Sequence, residues 1–136
     1  MRILILAVAI SLISGCQSGI YAMNADQLQQ QPTISIAEAY GNSRIGWPMN
    51  PKPFETELKR RDAFNDADWA RIQKRELKPG DSMTFTYASW GPPDDALTRD
   101  GLDRDYAIWH YRDNATRPGA RGYVHFTGQL VTAIDR

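Results

Sequence analysis

The sequence holds one cysteine, Cys16, and two histidines, His110 and His125, in 136 residues. A single thiol excludes an intramolecular disulfide, so the fold must be held by packing and hydrogen bonds alone. Net charge is absent as well: 16 Lys and Arg balance 16 Asp and Glu. That excludes the basic footprint of a nucleic-acid-binding domain. No glycine-rich phosphate cradle occurs, and no serine sits in a nucleophile elbow. No apolar run approaches the roughly 20 residues of a membrane-spanning helix. With no nucleophile or cofactor motif in view, the chain is expected to be non-catalytic and to need no cofactor or metal.

What is present begins at the N-terminus. Met1 and Arg2 give a short positive start, and Ile3 to Ile13 is apolar apart from Ser11. Ser14, Gly15 and Cys16 follow, small residues ahead of a candidate cut. Ile13-Ser14-Gly15-Cys16 resembles the lipobox of bacterial lipoproteins. The resemblance implies that residues 1–15 are a signal peptide and that Cys16 carries the lipid. Buried acyl chain holds a protein at a bilayer by about 0.8 kcal/mol per methylene. Gln17, where enteric-type bacteria place Asp to retain lipoproteins in the inner membrane, resembles an outer-membrane sorting signal.

Residues 16–32, with Gln29-Gln30-Gln31-Pro32, read as a flexible tether. Residues 33–62 read as a Pro-rich extension, with Ile34-Ser35-Ile36 as a possible short strand. Pro48, Pro51 and Pro53 forbid a helix between them, and Trp47 is the large apolar anchor of that stretch. Pro53 then suits the first turn of a short helix, with Phe54 and Leu58 on one face. The main domain is expected at 63–136. Asn65 is a natural N-cap, Asp66 and Asp68 fall in the first turn, and Phe64 and Trp69 are placed as a hydrophobic staple. Pro79 and Gly80 stop that helix.

From Asp81 to Trp90 two patterns compete. Asp81 or Ser82 can cap a helix with Met83, Tyr87 and Trp90 on one stripe. Met83-Thr84-Phe85-Thr86-Tyr87 also alternates like a strand, which periodicity favours. A turn follows at Gly91-Pro92-Pro93-Asp94, then a charged loop to Asp105. Strands are predicted over Tyr106–Arg112, Gly122–Thr127 and Gln129–Ile134, with Gly128 in the hairpin between the last two.

Leu77-Lys78-Pro79-Gly80, ten residues, then Gly91-Pro92-Pro93 resembles the BamE (SmpA/OmlA-like) family of small outer-membrane lipoproteins. Trp109-His110-Tyr111 resembles the family's aromatic strand, and Tyr123 to Val131 its final hairpin. The match spans roughly Asp66 to Ile134. Asp81 stands where the family has Met, and Thr86 where it has an aliphatic residue. The resemblance implies an ααβββ fold of α+β class, two helices on a three-stranded antiparallel sheet, and makes 81–90 a helix. It implies an accessory role in assembling β-barrels into the outer membrane, with barrel-assembly or other envelope proteins as partners. Carried over, Pro92, Trp109, Tyr111 and Phe126 are its candidate partner contacts, and Trp90 joins them as one of four tryptophans in a short chain. A different class of function, an inhibitor or binding module for a periplasmic enzyme or envelope ligand, would use an exposed aromatic and acidic loop at 94–105.

Two other constellations carry weaker chemistry. His110 and His125 fall on adjacent strands, but a metal site needs a further ligand, and both are expected on a solvated face. Asp94, Asp95, Asp100, Asp103 and Asp105 crowd one loop without the spacing of a calcium-binding loop, and are expected to be solvated.

Overall fold

The computed structural model describes residues 17–46, 49–98 and 105–136. Cys16, Trp47 and the stretch from Arg99 to Arg104 lie outside them. The fold is mixed α+β: a 3-10 helix (Gln17–Ala22), then α1 (Ala25–Gln29), α2 (Thr33–Ser43), α3 (Lys52–Arg60), α4 (Asp66–Gln73) and α5 (Met83–Trp90). The strands are β1 (Asp95–Thr98), β2 (Tyr106–Tyr111), β3 (Gly122–Thr127) and β4 (Leu130–Asp135), in one antiparallel sheet of order β1-β2-β3-β4. The α+β class stands. Among the described residues, the expected layout of two helices and three strands is corrected to five α-helices and four strands.

The expected tether is folded. Asn24 and Gln27 form a capping box at the start of α1. Leu28 is in the core. Tyr21 meets Phe54 edge to face at 5.5 Å and accepts a 2.7 Å hydrogen bond from Asn42 Nδ2. Arg61 fixes this segment from the end of α3. Its Nη1 donates to Gln31 O at 2.8 Å and Thr33 Oγ1 at 3.0 Å, and its Nη2 to Leu28 O at 3.0 Å. Its Nε donates to Glu57 at 2.6 Å, and Arg60 flanks the same carboxylate at 2.8 Å. The Arg60 hydrogen bond, outweighing burial and joined by that of Arg61, pulls the Glu57 carboxyl down to about 2.

The expected extension is also corrected. Residues 33–43 are helix, not strand, because α2 lies in the interior with Ile36, Ala37, Ala39 and Tyr40 buried. Helix propensity of β-branched residues is only slightly lower than that of straight chains, so burial decides. At Gly41 the helix crosses α5 so closely that a β-carbon there would fall 1.9 Å from Tyr87 O.

α5 is a helix, capped by Ser82, whose Oγ accepts from Phe85 N at 3.0 Å. Thr86 is fully buried, and its hydroxyl is satisfied by donating to Ser82 O at 2.9 Å. The chain ahead of α5 is tied to the hairpin: Gly80 N donates to Val131 O, Val131 N to Asp81 O, and Met83 N to Gln129 O. Asp81 is not the cap. Its carboxylate accepts from Lys78 N at 2.8 Å and from Arg71. At the end of α2, Arg44 Nη1 donates to Ile72 O at 3.1 Å and Ala88 O at 3.0 Å, a cation set against the carbonyl ends of α4 and α5.

Candidate functional site

Strand alternation decides which side chains reach the surface. Ala107, Trp109 and Tyr111 on β2, and Val124 and Phe126 on β3, point toward the helices. Trp109 lies between Tyr87 at 4.5 Å and Phe126 at 4.6 Å, tilted against both rings, and Trp90 meets Tyr111 edge to face at 5.1 Å. Trp90 Nε1 donates to Arg75 O and Tyr111 Oη to Gly91 O, each at 2.9 Å. Burial lifts the Tyr111 phenol well above its ordinary range and the Tyr87 phenol to about 12. Four of the five candidate contacts, Trp90, Trp109, Tyr111 and Phe126, are therefore core residues, at most 6% exposed. As contact residues they are corrected: they are the adhesive between α5 and the sheet.

Pro92, the fifth, is half-buried in a turn held from beneath. Arg117 Nη1 donates to Pro92 O at 2.8 Å, and Nη2 pairs with Asp94. The Arg117 guanidinium lies 5.1 Å over the Tyr111 ring. Asp94 also accepts from Arg112 N at 2.7 Å. This arginine was hidden in a segment, 114–120, whose sequence announces only a link between strands.

The opposite sheet face is the surface the strands leave open. It carries Tyr106, Ile108 and His110 from β2, Tyr123 and His125 from β3, Leu97 from β1 and Leu130 at the start of β4. Leu97 (50%), Tyr123 (43%) and Leu130 (53%) are the exposed large hydrophobic residues among those described. In register, Leu97 lies beside Ile108 and Ile108 beside His125, while His110 lies beside Tyr123. The His110 and Tyr123 rings stack in parallel at 4.5 Å.

Both histidines fall on this face and both are engaged. His125 Nδ1 is 2.5 Å from Tyr106 Oη, and its Nε2 is 2.8 Å from Asp135. His110 Nδ1 is 3.2 Å from Asp95, which Arg112 also meets at 3.0 Å. The hydrogen bond from His110, with Arg112 beside it, holds the Asp95 carboxyl below the usual carboxylate range. Among the described residues, no group of three or more His, Cys, Asp or Glu could hold a metal ion. The polar groups thus bind one another, and ring faces and aliphatic side chains are what the sheet presents to solvent. One signal could have found this: Tyr106-Ala107-Ile108-Trp109 is apolar at both parities, whereas a sheet with one wet face alternates.

No family model, curated protein or solved structure matches the chain. Among the described residues, no helix is long and apolar enough to cross a membrane.

Proposed function

We propose that the chain is a lipid-anchored, non-catalytic accessory protein of the bacterial outer membrane, acting in β-barrel assembly or envelope integrity by protein–protein contact. The observation that carries the contact role is the open sheet face, where Leu97, Tyr123 and Leu130 stand exposed beside Ile108 and stacked rings. A partner that covers them removes that apolar surface from water, which is the main favourable term in most association. The anchor rests on the lipobox-like Ile13 to Cys16, and the choice of partner on the Gly80 to Pro93 spacing. On this reading Cys16 holds the domain at the membrane and the sheet face meets a barrel-assembly component.

The test is co-purification of the tagged, lipidated protein from crosslinked envelopes. The proposal expects barrel-assembly components with the wild-type bait, lost when Leu97 and Tyr123 are both replaced by Asp. Both side chains are exposed, so this change leaves the core intact. Abundant bait with no such component would overturn the assignment to barrel assembly.

A further inference from the structure

A second surface lies away from the open sheet face, where the chain leaves α4. A concavity of about 420 Å³ is lined there by Arg71, Lys74, Arg75, Lys78, Glu76 and Arg136, with Leu77 and Gly119. Its volume falls within the range of roughly 300–1,000 Å³ typical of small-molecule sites. Five of these residues are basic and one is acidic. Arg71 is committed to Asp81 and Asp68. Among the described residues, Lys74, Arg75, Lys78 and Arg136 have no carboxylate in ion-pair range. In a chain of zero net charge, most surface cations have an acid at hand. Here, among the described residues, they converge on one hollow with a single acidic side chain, Glu76, beside them.

Arg75 is held there by its backbone. It sits just past the α4 cap at φ 55°, the left-handed position where helices usually place glycine. Arg75 N donates to Ile72 O and Glu76 N to Arg71 O, the two bonds of a Schellman ending. Its carbonyl accepts the Trp90 indole N–H at 2.9 Å, which fixes the peptide to the core. Among the described residues, its side chain makes one hydrogen bond, a long 3.5 Å contact to Thr116 O. Burial, then the charges of Arg44 and Arg117, pulls the Arg75 guanidinium below the ordinary arginine range. A cation is therefore kept among other cations, on a residue type the backbone does not favour, with no carboxylate among the described residues in ion-pair range of it.

We infer that this hollow is a binding site for a phosphate-bearing anion, held by Lys74, Arg75 and Lys78. An anion of two or more charges answers the excess of cations, and the hollow has room for the group attached to the phosphate. Lysine ammoniums meet phosphate oxygens as point charges, and an arginine offers a planar fork of donors. The anion is either soluble or the phosphate of a lipid headgroup.

Calorimetry on the full chain in uncharged detergent separates these sources, with inorganic pyrophosphate as one probe and micelles doped with phosphatidic acid as the other. At low ionic strength the site binds at least one of them with a dissociation constant below about 1 mM. Affinity falls as salt rises. Arg75→Gly and the double variant Lys74→Gln/Lys78→Gln each weaken binding by about tenfold or more. Arg75→Gly also melts no lower than wild type, because glycine accepts φ 55°, so its lost binding is not lost folding. Pyrophosphate binding that the variants abolish assigns a soluble ligand. Binding of doped micelles alone, abolished likewise, assigns a headgroup. Failure of both probes, or binding that the variants leave unchanged, overturns the site.

Discussion

Gly41 lies against the backbone of Tyr87: a β-carbon on Gly41 would come within 1.9 Å of the Tyr87 carbonyl oxygen and 2.7 Å of Gly91 Cα. Neither atom belongs to a flexible side chain, so α2 and α5 can cross at this distance only while residue 41 is glycine. Gly41→Ala must push the helices apart and open the contact between Tyr87 and Trp109 behind them. The expected loss is about 1–3 kcal/mol, the range for overpacked interiors, read as a lower urea midpoint. A loss below about 0.5 kcal/mol, typical of surface changes, would contradict the crossing.

A second prediction concerns two left-handed residues that are not glycine. Asp62 (φ 49°) and Arg75 (φ 55°) end α3 and α4 in the same way, the residue after each donating to the carbonyl five positions back. Aspartate tolerates this region better than arginine. Glycine should therefore stabilise the protein more at position 75 than at 62, by up to about 1 kcal/mol. Thermal melts of the two variants check the order, which would be reversed if Arg75 were the more relaxed residue.

Acid sensitivity follows from Glu57. The hydrogen bonds from Arg60 and Arg61 hold its carboxyl down to about 2 in the folded protein, against 4.5 when free. A depressed folded value stabilises the protein above 4.5, and that contribution fades as pH falls from 4.5 toward 2. Glu57→Gln removes the charge held by Arg60 and Arg61, so the variant is less stable at pH 7 and its stability falls less over that window. The cost at pH 7 is about 1–3 kcal/mol, chiefly because the part-buried Arg61 is left short of an acceptor. Parallel pH profiles of the urea midpoint for the two proteins would count against the pairing.

These positions also show how far the sequence could be read. α4 was legible because its signals are local: Asn65 accepts from Asp68 N at 2.8 Å, and Phe64 meets Trp69 at 5.4 Å, the cap and staple that the residue order predicts. β2, β3 and β4 fall within a residue of their predicted bounds, and Gly128 at φ 61° turns the last hairpin as expected. α5 looked like a strand because it is buried on both sides, against α2 and the sheet, so no polar face marks its period. α2 was hidden by Thr33, Ile34 and Ile36, whose strand preference is overridden by burial. β1 was hidden inside an acidic loop, because its four residues gain strand geometry only by pairing with β2. The contact residues were misplaced for a related reason. Aromatic content marks Trp90, Trp109, Tyr111 and Phe126 as important, but only the register shows that they face inward.

The proposed contact surface is tested most directly by placing a photo-crosslinking amino acid at Tyr123, on the open sheet face, in the full-length protein within intact cells. Asp66, exposed at the start of α4, serves as the control position. The expected result is a discrete adduct with a barrel-assembly component from position 123 and none from position 66. No adduct from position 123, or the same adducts from both positions, would contradict a contact surface on the sheet.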